Sequence, residues 1–576
     1  MATNKIHPRD EVTAERCGKK QINFSFQAVF SGIVWLAMAF LLSGMATGQG
    51  IEFSPVRLPF HLETNETADR HVPETMAGGV AVFDYNQDGR PDIFFTNGAN
   101  IATLQKDAPK YKNRLFRNDG NGKFTDVTDQ AGLGGTGYDI GAAVGDYDND
   151  GYPDLFVAGV HHSTLYHNNR DGTFTDVTVK SGLDAKLNHP DPEYGPLWAV
   201  AAVWLDVNND GLLDLFVVNY LQWDYSTEPM CQYHGVSDYC IPSRYKGLPN
   251  QLFLNTGDGT FRDASKEWGI RDHVGKGMGV ALADYDDDGR PDLFVTNDGY
   301  YNFLFHNDGM KFSEVALEAG ASLTEDGNFI SGMGLDFRDL NNDGRPDIAF
   351  AALNNQTFPI FQNTDGKEFR EITASSGMRE ASLSHSGFGL GLYDFDNDGW
   401  KDMFVTGGHV LSLMTLGAAV DQDNMVFRNP GLKGKWQLTS SGLDTLPPSR
   451  HRGCAFGDFD GDGRVDVVVT AIGREAEIWM NHTENSSHWL DVALQGTRSN
   501  RDGIGARIKV VTKTVTQYNH MTTSVGYASS SDGPVHFGLG TDAQAELIEI
   551  HWTSGVVQTL HDIPADQVLK VIEPAN

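Results

Sequence analysis

From residue 51 onward the chain alternates short apolar runs with clusters of Gly, Asp and Asn. Runs such as "GAAV", "GVALA" and "GFGLGLY" precede an acidic nonapeptide, and "DIFFTN", "DLFVAG", "DLFVVN" or "DMFVTG" follow it without a spacer. Apolar stretches this short, bounded by turn residues and rich in β-branched and aromatic side chains, predict strands rather than helices. Further along most units a second pattern recurs: "LFRNDGNGKFTDVT", "LYHNNRDGTFTDVT", "LFLNTGDGTFRDAS", "LFHNDGMKFSEVA" and "IFQNTDGKEFREIT". It reads as a strand, an Asn/Asp/Gly turn and another strand. Each unit should therefore hold four antiparallel strands, A to D. The acidic nonapeptide joins A to B, and the Asn/Gly turn joins C to D.

The nonapeptide occurs seven times, at Asp84, Asp146, Asp206, Asp284, Asp339, Asp394 and Asp458, with separations of 62, 60, 78, 55, 55 and 64 residues. Four strands per unit at a near-constant period predict an all-β fold, a seven-bladed β-propeller over residues 51–486. Closing the ring removes the exposed edge strand that a linear solenoid, the competing architecture, would keep.

The shared pattern is D-x-[DN]-x-D-G-x-x-D. Carboxylates or amides at positions 1, 3, 5 and 9, with a backbone carbonyl at 7 and Gly at 6 for the sharp turn, are the means of wrapping an oxygen-seeking cation. The implied sets begin with Asp84, Asn86, Asp88, the Arg90 carbonyl and Asp92, then Asp146, Asp148, Asp150, the Tyr152 carbonyl and Asp154. Next come Asp206, Asn208, Asp210, the Leu212 carbonyl and Asp214, then Asp284, Asp286, Asp288, the Arg290 carbonyl and Asp292. The last three are Asp339, Asn341, Asp343, the Arg345 carbonyl and Asp347; Asp394, Asp396, Asp398, the Trp400 carbonyl and Asp402; and Asp458, Asp460, Asp462, the Arg464 carbonyl and Asp466. Hard oxygen donors without His or Cys select Ca²⁺, up to seven ions in a structural role. An EF-hand needs a Glu at position 12, where this chain has Phe95, Val157, Val217, Val295, Phe350, Val405 and Val469. Asp287, at the variable fourth position, is expected to face water.

These units resemble FG-GAP/VCBS repeats, the calcium-loop blades also found in the integrin α head, over roughly residues 70–485. The resemblance implies that ions brace the blades and that ligands dock on another face. Residues 487–576 lack the acidic loop and read as a small separate β domain. Its blocks "NRDGIGARIKV", "GYASSSDGPVHFGLG" and "IEIHWTSGVVQTL" resemble the ASPIC/UnbV domain. Asn500, Arg501, Gly505, Arg507, His536, Phe537, Gly538 and Trp552 look characteristic of it, and turns and packing are the expected roles of such residues.

Composition narrows the partners. A formal charge of −33 argues against nucleic acid and anionic membranes. The seven loops hold 26 of the 77 acidic residues, so seven Ca²⁺ would bring −33 to −19. At the N-terminus, residues 1–50 pair upstream Arg16, Lys19 and Lys20 with an uncharged apolar run from Phe24, which reads as a cleaved signal peptide or an uncleaved anchor over residues 24–47. Either places the rest outside the cytoplasm, secreted, periplasmic or at the cell surface, with membrane contact only through that anchor. In such a compartment Cys231 and Cys240 are the expected disulfide, and Cys454 is a small buried strand residue.

The A–B and C–D loops share one face of a propeller, so insertions between B and C or D and A fall on the other. The D–A segment 183–198 lies there. So does the B–C insertion 220–250, with Trp223, Tyr225, Tyr233, His234, Tyr239 and Tyr245 as candidate protein- or glycan-binding groups; a self-packed cap is the competing expectation. A second B–C insertion, 408–424, is expected to hold a short helix. His161, His162, His189, His234, His385, His409 and His451 map to the same face, where converging imidazoles could bind a metal. No G-x-S-x-G, H-E-x-x-H, P-loop or dinucleotide fingerprint is present. A recognition or adhesion module for a protein or glycan is the expected function. An extracytoplasmic lyase or hydrolase acting on polysaccharide or lipid, and a structural cell-surface protein, are the alternatives. "NET", "NQT", "NHT" and "NSS" at Asn65, Asn355, Asn481 and Asn485 are candidate glycosylation acceptors.

Overall fold

Seven four-stranded antiparallel sheets carry the seven acidic loops in the computed structural model, which describes residues 50–233, 235–411 and 419–575. The N-terminal apolar run, His234 and the helix expected within 408–424 lie outside the described residues. The first sheet runs Val80–Phe83, Asp92–Phe95, Arg114–Gly120 and Lys123–Asp126, the strands A to D of blade 1. Burial falls outward along that order: the A and B strands are wholly buried, whereas Lys123–Asp126 is mostly exposed. This is why A and B read as unbroken apolar runs and only C and D alternate.

The seven A strands touch in cyclic order, the last (His451–Gly457) lying against the first (Val80–Phe83). Small residues allow that approach. A Cβ placed on Gly141 of the second A strand would stand 2.2 Å from the Val200 carbonyl of the third. The ring is closed by a strand that precedes blade 1 in the sequence. Phe53–His61 supplies the outermost strand of blade 7 and pairs antiparallel with Glu475–Asn481, Phe53 opposite Asn481 and Leu58 opposite Ala476.

The C-terminal module has two sheets of its own. His488–Gln495 sits between Val535–Gly540 and Gln567–Ile572, while Arg507–Val511 sits between Thr516–His520 and Gln544–His551, with Val557–Pro564 at the edge. Their inward side chains, among them Val492, Ile508, Phe537 and Ile550, are continuous with the packed interior of blades 2 to 4. Residues 50–576 accordingly form one compact unit.

The link between the module's strands at residues 521–534 enters the propeller. Ser524 Oγ donates to the Val280 carbonyl, Gly526 exchanges backbone hydrogen bonds with Leu335, Ala142 N–H donates to Ala528, and Ser530 pairs with Val80 and Val82. These are A-strand partners in blades 4, 5, 2 and 1, so the segment fills the ring's centre. From the opposite side comes a 3-10 turn, Val72–Thr75. Tyr138 Oη fixes this turn by donating to the Thr64 and Pro73 carbonyls at 2.8 and 3.0 Å.

Candidate functional site

Each acidic loop folds through its own carboxylates. In blade 4 the two Asp284 oxygens accept the N–H groups of Asp288 (3.0 Å) and Gly289 (2.9 Å), and Asp288 Oδ1 accepts from Arg290 N–H at 2.9 Å. The sixth residue must be Gly, because the turn requires φ +84° at Gly289 and similar values in the other copies. Position 9 ties the loop to the blade: Asp292 Oδ2 accepts from Tyr285 N–H, and Oδ1 accepts from Asn307 N–H at 2.8 Å.

In three of the loops the carboxylates converge. Asp146, Asp148 and Asp154, Asp284, Asp286 and Asp292, and Asp394, Asp396 and Asp402 each present oxygens within 4.8 Å of one another. Asp286 Oδ1 and Asp396 Oδ1 are buried and accept no hydrogen bond. Buried acceptor oxygens without donors, clustered with other carboxylates, suit a hard divalent cation. Burial, with neighbouring carboxylates adding to it, raises Asp92 to about 8, Asp146 to about 9, and Asp154, Asp206 and Asp292 to about 7. A cation would offset that desolvation directly.

Two loops have an imidazole that the nonapeptide does not include. His167 Nδ1 lies 3.2 Å from Asp154 Oδ1 and 3.4 Å from Asp148 Oδ2; His306 Nδ1 lies 3.2 Å from Asp292 Oδ1. The adjoining Asp292 carboxylate holds His306 up at about 9. Both histidines sit one residue before an Asn that recurs in every C strand, as "LYHN" and "LFHN" here.

That Asn joins the blades. Asn118, Asn168, Asn255, Asn307, Asn363, Asn429 and Asn481 each donate Nδ2–H to the position-2 carbonyl of the preceding blade's loop, at 2.7–3.0 Å. The Asn118 bond to the Phe459 carbonyl links blade 1 to blade 7 and completes the circle. At position 4, amides reach forward: Gln87, Asn149, Asn209, Asn342 and Asn397 donate to the Gly carbonyl of the next loop. Seven-fold recurrence of Asn after an aromatic or aliphatic pair was the available signal for the first device; read as turn chemistry alone, it is missed.

The C-terminal module covers this face. Asp502 accepts from Asp146 N–H at 2.8 Å, and Arg501 N–H donates to Asn149 Oδ1 at 2.7 Å. His536, held by Asp491 at 2.7 Å, meets Asn397 Oδ1 at 2.8 Å. A Cβ on Gly538 would lie 2.0 Å from Asp394 Oδ2, so only Gly fits there. Asp287 is largely exposed, as expected, but pairs with Arg507, which also reaches Asp284 Oδ2 at 3.3 Å. Arg501, Arg507, His536 and Gly538 are thus docking residues as well as packing ones.

On the opposite face the 220–250 insertion is a cap stapled by the Cys231–Cys240 disulfide. Its Glu228 accepts from Val72 N–H and Tyr245 Oη, and contacts His71 Nδ1 at 2.6 Å; Tyr239 Oη reaches Glu66 and Glu74 at 3.2 Å. Trp223, Tyr239 and Tyr245 are therefore buried inside the cap, and Tyr225 remains exposed. His161, His162, His189, His409 and His451 each bond a different partner: the Trp223 carbonyl, Thr136, Asp184, Asn354 and the Gly407 carbonyl. Cys454 is fully buried in the last A strand. Of the four sequons, Asn481 is buried and spends its amide on the ring latch, while Asn355 is exposed.

Comparison with known proteins agrees with this layout. A model described as "FG-GAP-like repeat" matches residues 84–157, 146–217, 235–295, 284–350, 339–405 and 394–469, and one described as "ASPIC and UnbV" matches 496–576. The chain is 23% identical to human Cartilage acidic protein 1 over 517 residues, covering 88% of this chain and 73% of that protein. The mouse protein of the same name is 24% identical over 518 residues, covering 88% and 75%. Among solved structures, an Agrocybe aegerita lectin described as recognising non-reducing terminal N-acetylglucosamine aligns with a TM-score of 0.38 and 16% identity, over 64% of this chain and 81% of that one. A score that low carries no argument.

Proposed function

Because the chain belongs to the FG-GAP-like repeat family and ends in an ASPIC and UnbV domain, we propose that it is an exported recognition module. Calcium is its internal brace, and its ligand is a protein or glycan outside the cytoplasm. The observation that carries this reading is the cover over the acidic loops. Asp502, Arg507, His536 and Gly538 stand directly on them, which suits ions held inside the fold rather than ions offered to a substrate. The opposite face is then the surface left for a ligand, on a scaffold rigid enough to present it. The disulfide in the cap suits an oxidising compartment. Asp84 to Asp92 and the equivalent residues of the other blades would hold the ions, which supply charge compensation for buried carboxylates.

The test is a binding screen of the calcium-loaded full chain against arrayed glycans and purified secreted proteins. Saturable binding to one of them, without chemical change in the ligand, is expected. Turnover of a bound polysaccharide or lipid, or no saturable ligand of either class, overturns the proposal.

A further inference from the structure

The recognition face carries an aromatic cluster away from the cap. Tyr300 and Tyr301 lie on the B–C connection of blade 4, between Asp292–Asn297 and Phe303–Asn307. They are 38% and 43% exposed, and Phe329, from the following D–A connection, is 55% exposed. The three form a chain of rings: Tyr301 stands edge-on to Tyr300 at 5.3 Å and tilted against Phe329 at 6.1 Å. Large apolar side chains of this size are normally covered, and three together on a surface mark a contact site.

Tyr300 and Tyr301 border a hollow of about 290 Å³ that is also lined by His273, Phe303, Asp272, Glu314 and Leu317. That volume is at the small end of ligand pockets, which run from about 300 Å³ upward. Its polar groups are unspent. Among the described residues no hydrogen bond engages the Tyr300 or Tyr301 hydroxyls or the side chains of Asp272 and His273, and Glu314 uses only Oε1, on the N–H groups of Leu304 and Ala316. Nearby cations are committed elsewhere: Arg271 pairs with Asp191 at 2.8 Å, and Lys276 donates to the Pro242 carbonyl at 2.8 Å.

We infer that this hollow binds a neutral sugar, one ring stacking on Tyr301 while Asp272, His273, Glu314 and the tyrosine hydroxyls take its hydroxyl groups. The inference rests on the recognition reading above and names its site and ligand class. Aromatic faces match the C–H face of a pyranose, and carboxylates accept from its hydroxyls. Two lining carboxylates without a free Lys or Arg exclude sulfated or uronate glycans, as does a chain charge of −33. An apolar protein partner fits less well, because it would leave these carboxylates and the imidazole desolvated and unpaired.

Calorimetric titration of the calcium-loaded full chain with cellotriose, mannotriose and chitotriose, and with a heparin hexasaccharide as the acidic probe, tests this. Binding of at least one neutral probe is expected, weakened about tenfold or more in Tyr301→Ala and in Asp272→Asn, and unchanged in Leu432→Ala, which removes an exposed apolar side chain elsewhere. Melting curves of each variant should match the parent, since all these side chains are exposed. Neutral-sugar binding that survives Tyr301→Ala overturns the site, as does preference for heparin. Saturable binding of a protein with no response to any neutral sugar overturns the inference while leaving the recognition reading standing; absence of every ligand overturns both.

Discussion

The Tyr527 hydroxyl donates a 2.9 Å hydrogen bond to the Met76 carbonyl, where the segment from the C-terminal module meets the 3-10 turn entering from the other face. Both residues are buried, and Tyr527 also stands edge-on to Phe388 at 5.3 Å in the A strand of blade 6. One bond therefore joins the two plugs of the ring. Tyr527→Phe should cost about 1–3 kcal/mol by leaving a buried carbonyl unpaired, and Tyr527→Ala about 3–5 kcal/mol by adding a cavity. Urea unfolding should show a single transition for propeller and module together, moved to lower denaturant in both variants. Two separate transitions in the parent protein would contradict the interlock.

The Asn latches make a second expectation. Asn307→Ala removes the donor to the Val207 carbonyl at 2.9 Å, a contact with no solvent to replace it. A loss of about 1–3 kcal/mol is expected, with a similar loss for Asn118→Ala at the ring's closure. Exposed Asn355→Ala should stay within about 0.5 kcal/mol of the parent. Equal effects at the three positions would remove the latch from consideration.

How much of this was legible in the sequence depends on whether the signal was periodic. The acidic nonapeptide repeats, so strands, blades and the positions of Asp284, Asp286, Asp288 and Asp292 could be read from spacing alone. The strand C Asn repeats too, but its partner lies in the preceding blade, and only the ring reveals it. Tyr239 is buried because it faces Glu66 and Glu74, contacts between segments more than 150 residues apart, while Tyr245 bonds Glu228 of its own insertion and Trp223 packs against Trp198 and His161. "GYASSSDG" looks like a surface turn because it is small and polar. Its smallness lets it fit among the A strands, and the Ser529, Ser530 and Ser531 hydroxyls accept from the Val80, Val144 and Phe456 N–H groups there.

Arg507 bears on the blade 4 loop. Its guanidinium lies 3.3 Å from Asp284 Oδ2 and pairs with Asp287, so it competes electrostatically with any cation held there. Arg507→Ala should raise cation affinity at one loop by about three- to tenfold, on the order of 1 kcal/mol at a partly buried site, read by calcium titration. Weaker binding in the variant would mean that Arg507 serves the loop by docking the module instead.

Acid should destabilise the fold through buried neutral histidines. Burial, reinforced by the Arg452 charge, pushes His409 down to about 4; burial and the Arg338 charge push His520 down to about 3. An unfolded histidine takes its proton near 6.5. The folded state binds fewer protons below that value, so stability is full above about pH 6.5 and is lost as pH falls toward 4, at up to about 1.4 kcal/mol per pH unit for each group. Urea midpoints measured between pH 7.5 and 5 in saturating calcium should fall, and His409→Gln should flatten the slope. An unchanged slope in that variant would assign the acid sensitivity to other groups.

The internal-brace role of calcium is tested most directly by thermal unfolding of the full chain at pH 7.5, in excess calcium and in excess chelator. Ions that bind only the folded loops stabilise by RT ln(1 + [L]/Kd) at each site, about 2.7 kcal/mol when free calcium is one hundred times Kd. Several such loops should separate the two melting temperatures by well over ten degrees. Superimposable curves would contradict calcium as the brace of these blades.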